Sequence, residues 1–376
     1  MRIVLFLRNL QTGGAERQFL QIAGGLADRG HDVHLITRTA DGDLSGLLDP
    51  RVERHVLFRT PRGRLGRGLE LVRSPHRLRR QVVELAPDVV YSALFLNNAL
   101  AHRALQGLDI PLVWGFRNAA QPLSKLRARA WRYNKRHAGD VRLAISNCQA
   151  GATYLAHEGL PLRQVEVIPN GVDATRFRPL PEQRQPTRQA WGVPDEAFLV
   201  GCVGRLHPMK DHPTFLRAAR AFRNEVPQAR FVCLGSGDAD HARRLRALAS
   251  ELGLDDAVLW TEVRGEVPAA LAALDLVAST SLAEGFPNAL TEALACEVPV
   301  VATDVGDTAL LLERPERLTA TSDPMAQCQA WLALYRTPAQ DRAAAARADR
   351  ERVVHTQSIE RCVERTEEVL RRVVAT

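Results

Sequence analysis

The sequence predicts an α/β protein made of two doubly wound parallel sheets. Short β-branched apolar runs alternate with helical segments, the alternation stops once near the middle and then restarts, and 376 residues suit two ordinary domains better than one. A composition of 45% hydrophobic and 25% charged residues supports sizeable cores.

The first run, Arg2–Leu7, is broken by Arg8 and Asn9 and reads as an opening strand, too short for a signal peptide. Similar runs at Asp32–Thr37, Asp88–Ser92, Pro111–Trp114 and Arg142–Ile145 each precede a helical segment, the pattern of a parallel sheet covered on both faces. The chain turns at Pro169-Asn170-Gly171, and the Pro-, Gln- and Arg-rich stretch to Pro194 reads as a linker. Strands are expected again at Phe198–Val203, Arg230–Leu234, Ala257–Trp260, Leu276–Ser279 and Pro299–Thr303. From Pro324 onward the Ala/Arg/Glu-rich sequence reads as helical, ending in Ser358–Val374.

No apolar run approaches the roughly 18–20 residues of a membrane span. The six cysteines, Cys148, Cys202, Cys233, Cys296, Cys328 and Cys362, lie far apart with no Cys-x-x-Cys pair. They read as reduced, buried thiols of a cytosolic protein. The net charge of +7 is concentrated in two places. One holds Arg62, Arg64, Arg67, Arg73, Arg77, Arg79 and Arg80; the other holds Lys125, Arg127, Arg129, Arg132, Lys135 and Arg136. Either the clusters meet an anionic partner, such as a phospholipid surface or a phosphorylated lipid carrier, or they are a solvated face. No recognition motif for nucleic acid accompanies them.

Three segments carry chemistry. In Ala283–Gly306 a glycine turn runs into a helix and then a buried strand, with seven residues between Glu284 and Glu292. Backbone N–H groups at a helix start favour an anion, and a carboxylate beside them accepts hydrogen bonds from sugar or ribose hydroxyls. That combination suits a nucleotide sugar. The segment Val203–Asp211 puts Arg205 at a strand end and Lys210 at the next helix start, two cations able to neutralise a diphosphate as its glycosidic bond breaks. At Gln11–Arg17 the pair Gly13-Gly14 opens a helix, which by itself reads better as a plain tight turn than as a ligand loop. The strings Asp41-Gly42-Asp43 and Asp238-Ala239-Asp240 are explained by turn and capping chemistry, and His207 and His212 lack a third ligand, so no metal is expected.

With its Glu-x7-Glu segment and its G-R-L-x-x-x-K-D pattern over Gly204–Asp211, the chain resembles the retaining glycosyltransferases of family 4. Val167–Asp173, Gly235–Asp238 and Arg264–Pro268 extend the resemblance along nearly the whole chain. It implies the GT-B fold, two Rossmann-like domains facing across a cleft. An acceptor-binding domain would span 1–172 and a nucleotide-sugar domain 173–355, with a C-terminal helix over 356–376 crossing back to the first. It further implies metal-independent hexosyl transfer from a UDP- or GDP-linked sugar, with no cofactor. The acceptor would be a glycan or a lipid-linked molecule in capsule, lipopolysaccharide or exopolysaccharide synthesis. The enzyme would be cytoplasmic and peripheral on the inner membrane face.

Carried over by position, Arg205 and Lys210 grip the diphosphate and Glu284 meets the donor sugar. Glu292 bonds the ribose, and backbone groups of Phe286, Pro287, Asn288, Ala289 and Leu290 surround sugar and phosphate. Gly14, Gly204 and Arg264 complete the donor site, with Arg117 and Asn118 on the acceptor side. The chain departs from the family at Gly115–Asn118, where a histidine is usual, and at Glu262 and Glu297, where glycines are usual. It also looks shortened between Asp307 and Asp323. Two other readings stay open: a degenerate member that binds nucleotide sugar or a partner without turnover, and a nucleotide-sugar epimerase on the same architecture.

Overall fold

The computed structural model describes residues 1–11, 13–59, 63–117, 124–161, 164–262 and 267–375. It divides into two units, Met1–Gly171 with Ile359–Thr376, and Val172–Ser358.

In the first unit the chain runs β1 (Arg2–Leu7), α1 (Gly14–Asp28), β2 (Asp32–Thr39), β3 (Glu53–Phe58), α2 (Gly63–Leu85), β4 (Val89–Ala93), α3 (Phe95–Leu105) and β5 (Leu112–Phe116). It continues through α4 (Lys125–His137), β6 (Leu143–Ser146), α5 (Gln149–His157) and β7 (Val165–Val167). The sheet has seven strands in the order β3-β2-β1-β4-β5-β6-β7, all parallel. Order reverses between β1 and β4, the point where doubly wound sheets take their ligands, at the carboxyl ends of the strands.

Alternation along β1 explains the two cores. Ile3, Leu5 and Leu7 pack on one face with Phe19, Leu26, Val363 and Leu370, while Val4 and Phe6 pack on the other with Leu78, Ala101, Trp114 and Trp131. The last helix of the chain, α14 (Ile359–Ala375), belongs to the first of these faces and lies against α1. A Cβ added at Gly25 would come within 2.5 Å of Val363 Cγ2, so α1 needs glycine there to admit α14. Glu367 of α14 accepts from Arg29, from His31 at 2.9 Å and from Arg371 at 2.7 Å.

The second unit runs α6 (Pro181–Ala190), β8 (Leu199–Val203), α7 (His212–Glu225), β9 (Arg230–Leu234), α8 (Ala239–Glu251), β10 (Val258–Thr261), α9 (Val267–Ala272) and β11 (Leu276–Ser279). Then come α10 (Asn288–Ala295), β12 (Val300–Thr303), α11 (Thr308–Leu312), β13 (Leu318–Thr319), α12 (Pro324–Arg336) and α13 (Ala339–Thr356). Its six strands follow the order β10-β9-β8-β11-β12-β13, again parallel and reversing beside the first strand of the unit. Val200 and Cys202 face Phe215, Phe222 and Trp331; Leu199 faces Leu271, Leu290 and Leu294.

The expected linker is corrected in part. Its Pro181–Ala190 portion is α6, a helix of the second unit. Pro181 occupies the first turn, where no N–H is required. Arg188 is buried, donating to Ala273 O at 2.9 Å, Ala197 O at 3.0 Å and Asp275 at 2.6 Å. Asp275 also accepts from Leu199 N–H at 2.8 Å, so this arginine ties α6 to the root of β8. Buried arginines of this kind are invisible to compositional reading, which counts them as solvated. Three short strands, β3, β7 and β13, are additional to those expected.

All six cysteines are buried, and none forms a disulfide. Among the described residues no helix is long and apolar enough to cross a membrane.

Candidate active site

The carboxyl ends of β8 and β11 are stitched together in the second unit. Beyond β8 the chain passes Gly204 and Arg205 and makes a short turn at Pro208–Lys210 before α7. Gly204 has φ +150°, and Gly235, at the end of β9, has φ +149°. A Cβ at Gly235 would sit 2.1 Å from Gly204 O, and one at Gly237 2.1 Å from Leu206 O, so the two loops run backbone against backbone. Their hydrogen bonds are Gly204 N–H to Leu234 O and Leu206 N–H to Ser236 O, both 2.9 Å. Glycine is required here by close approach.

Asp211 closes the turn in the left-handed region at φ +44° and caps α7 through Thr214. Thr280 Oγ1, just past β11, donates to Lys210 O at 3.0 Å and Asp211 O at 2.9 Å, and Leu282 N–H reaches Met209 O at 2.8 Å. The backbone carrying Lys210 is thereby fixed against the strand that leads to Glu284. Lys210 Nζ donates to Glu284 Oε1 at 2.5 Å, and Ser281 Oγ donates to the same oxygen at 2.6 Å. Thr303 Oγ1, at the end of β12, holds Ser281 O at 2.6 Å. These hydroxyls are the functional supports that the motif reading missed. For Thr280 and Ser281 the signal was the run Ser279-Thr280-Ser281 at a strand end, separated from Glu284 only by Leu282 and Ala283.

Beyond Glu284, Gly306 is packed against the turn. It has φ +58°, and a Cβ there would lie 2.3 Å from Glu284 O. Phe286 and Leu290 are buried, anchoring the start of α10. N–H groups of Asn288 and Leu290 are used within the turn, donating to Phe286 O at 3.1 Å and Pro287 O at 3.0 Å. Pro287 has no N–H, so the groups left to meet an anion in this turn are those of Phe286 and Ala289. Glu292 is half-buried one turn into α10. The Cys296 thiol beside it is pushed up to about 12 by burial, with the Glu292 charge adding to the effect.

The surroundings of Lys210 are electropositive. Burial lowers the His207 pKa, and Arg205, His241 and Lys210 lower it further. His212 is pushed down to about 4 by burial, then by His241 and Lys210. Arg205 is exposed and, among the described residues, has neither hydrogen bond nor ion pair. The structure therefore brings Lys210, Glu284 and the start of α10 together on one side of the second sheet, with Gly204 and Arg205 on the adjoining loop. Arg264 lies outside the described residues.

The first unit has its own glycine turn. Gly13 caps α1 without a side-chain hydrogen bond, and Gly14 is the first helical residue. Asp41 Oδ2 accepts from Asn9 at 2.9 Å and Gln11 at 3.0 Å, holding the β1–α1 connection. In the other Asp-x-Asp string, Asp238 caps α8 at His241 N–H, 3.0 Å, and Asp240 pairs with Arg243. Arg117 is buried at the end of β5, bonded to Asn170 Oδ1 at 2.7 Å and Tyr91 Oη at 3.0 Å, over the Phe19 ring. Asn118 lies outside the described residues.

The family model described as Glycosyltransferase Family 4 matches residues 12–176, and that for Glycosyl transferases group 1 matches 197–337. A D-inositol 3-phosphate glycosyltransferase from Stackebrandtia nassauensis is 30% identical over 326 residues, covering 78% of this chain and 72% of that protein. The chain belongs to glycosyltransferase family 4. A second relative of the transferase, the D-inositol 3-phosphate glycosyltransferase of Salinispora arenicola, is 29% identical over 330 residues, 78% of this chain and 72% of that one. The structure of HepE from Anabaena, in complex with UDP-glucose, matches with a TM-score of 0.85 at 25% identity over 98% of this chain and 99% of that one. The paired Rossmann-like units are those of GT-B glycosyltransferases.

Proposed function

We propose that this transferase moves a hexosyl group from a UDP-sugar, with retention at the anomeric carbon and without a metal, to a glycan or lipid-linked acceptor of cell-surface polysaccharide synthesis. The observation that carries the reading is the Lys210–Glu284 pair beside the exposed Arg205. Two cations supply the charge that the departing diphosphate requires, and Glu284 is poised beside them to accept from a sugar hydroxyl. Family membership and the UDP-glucose complex of HepE favour a uridine nucleotide. With Asp41 and Asp238 engaged in turn and cap bonds, neither Asp-x-Asp string supplies a free carboxylate pair for a metal. The leaving diphosphate oxygen takes the acceptor proton on the face it leaves.

The acceptor side favours an anionic surface. On α2, Leu69, Val72 and Val83 are exposed among exposed Arg73 and Arg80 at helical spacing, so one face offers apolar and cationic groups together. A second reading of the acceptor, a phosphorylated cyclic polyol, follows from the names of the relatives.

A panel of nucleotide sugars scored by thermal shift, followed by product analysis with each acceptor class, tests the reading. A UDP-sugar should give the largest shift, since ligand at about 100 times its dissociation constant adds roughly 2.7 kcal/mol. Flotation should recover the protein with anionic vesicles and lose it with salt. Turnover on a soluble inositol phosphate alone would replace the lipid-linked acceptor by the second reading. Shifts without turnover on any acceptor would leave only a binding role.

A further inference from the structure

At the amino-terminal ends of β2 and β3, on the edge of the first sheet, three potential metal ligands converge. Register puts His34 opposite Glu53, and His55 follows Glu53 by two residues on the same face. His34 Nδ1 lies 3.1 Å from His55 Nε2 and 3.6 Å from Glu53 Oε2, while His55 Nε2 lies 3.7 Å from Glu53 Oε1. Ligands at about 2.0–2.1 Å around a tetrahedral zinc ion stand about 3.3–3.4 Å apart. The two imidazole nitrogens stand slightly inside that value, and each stands slightly beyond it from one oxygen of the Glu53 carboxylate.

Two further observations point to a cation. His34 Nε2, the nitrogen facing away from the cluster, is 3.2 Å from Asp32 Oδ1. A carboxylate on the outer nitrogen fixes the tautomer and raises the basicity of a metal-bound imidazole. Asp32 is itself held by Arg2 at 2.6 Å. The charges beside the imidazoles are Asp32 and Glu53 at His34, and Glu53 and, from α2, Glu84 at His55; Arg2 pairs with Asp32. Both imidazoles are largely enclosed while Glu53 is exposed, which leaves a side open for water.

We infer that His34, Glu53 and His55 form a zinc site that clips the edge strand β3 to β2, with Asp32 as the orienting carboxylate. Two imidazoles with one carboxylate and an open position suit Zn2+; Ca2+ and Mg2+ take oxygen-rich sets. The imidazoles bind as neutral tautomers, with protons on His34 Nε2 and His55 Nδ1. Ligands of doubly wound sheets bind at the carboxyl ends of the strands, the opposite end from these residues. The zinc therefore acts on stability of the edge.

The test uses the full chain, stripped by chelation and dialysed, in a His137→Ala background that breaks up a second group of metal-capable side chains found among the described residues, His102, His137 and Asp140. Zinc chloride is titrated by calorimetry near neutral pH, and Co2+ is added separately as a spectroscopic probe. One equivalent of zinc should bind and raise the melting temperature, with Co2+ giving the intense visible bands of a tetrahedral site. His55→Ala and Glu53→Gln, both on an edge strand, should weaken binding at least tenfold, and Asp32→Asn about 10–100-fold. Absence of saturable zinc binding, or an affinity unchanged in folded Glu53→Gln and His55→Ala, overturns the assignment.

Discussion

Lys210 Nζ and Glu284 Oε1 are 2.5 Å apart, and Ser281 Oγ shares the same carboxylate oxygen. The pair spans the loop after β8 and the turn after β11, so two segments far apart in sequence meet at one charge-neutral contact. On the proposed function, donor binding would exchange this contact: the ammonium would turn to phosphate and the carboxylate to a sugar hydroxyl. Arg205→Ala and Lys210→Ala are each expected to lower kcat by about a hundredfold or more, the scale of removing one preorganised donor. Glu284→Gln frees the ammonium, so kcat should fall while donor affinity holds or improves. Steady-state kinetics with a UDP-sugar check the split. A loss of donor affinity with kcat unchanged for Glu284→Gln would place the carboxylate in ground-state binding.

Glu292 sits one turn into α10, half-buried. Glu292→Gln keeps the shape and would remove the charge from the hydrogen bonds to ribose that the family resemblance implies. Charged hydrogen bonds contribute roughly 1.5–3 kcal/mol each, so donor affinity should drop about tenfold to a hundredfold. Calorimetry with UDP reads this directly, and an unchanged affinity removes Glu292 from the nucleotide site.

Glu297 ends α10 in the left-handed region at φ +59°, with its N–H on Leu294 O and the Val298 N–H on Ala293 O, both at 3.0 Å. That geometry favours glycine, and a side chain there costs roughly 1–2 kcal/mol. Part of the gain from Glu297→Gly is offset by the freer unfolded chain. A net stabilisation of about 0.5–1 kcal/mol in urea unfolding is expected, and a loss of stability would show that the Glu297 side chain makes a compensating contact.

Glu367 gives the fold a pH dependence. Burial alone would raise its pKa, but hydrogen bonds from Arg29, Arg371 and His31 hold it at about 2, against an ordinary 4.5. A depressed carboxylate stabilises fully above its unfolded value and loses that contribution as pH falls through the folded one. Glu367→Gln should therefore destabilise the protein by roughly 1.5–3 kcal/mol at pH 7. The gap to wild type should close as pH drops from about 4.5 to about 2. A pH-independent gap in denaturant melts would assign the loss to packing of α14 instead.

Strands with apolar, β-branched interiors were legible in the sequence, Arg230–Leu234 and Leu276–Ser279 to the residue. Of the edge strands β10 was legible, but β3, β7 and β13 were not: Glu53–Phe58 is charged and partly exposed, and Leu318–Thr319 is too short to carry a period. Pro and Arg hid α6, because Arg188 spends its charge on Asp275 and buried carbonyls. In the candidate site Arg205, Lys210, Glu284 and Glu292 were legible through the resemblance to the family's motifs. What spacing could not give was the pairing of Lys210 with Glu284, or the hydroxyls of Thr280, Ser281 and Thr303 that position them, since those depend on which strand ends are neighbours. Arg117 shows the converse. Its sequence position pointed to an acceptor, and its guanidinium is bonded to Asn170 and Tyr91.

Release of UDP from a UDP-sugar, followed with acceptor and excess chelator in wild type and in Lys210→Ala, tests the central claim most directly. The account predicts acceptor-dependent UDP release that chelator leaves intact and Lys210→Ala reduces about a hundredfold. Release abolished by chelator and restored by manganese, or equally fast in Lys210→Ala, would contradict it.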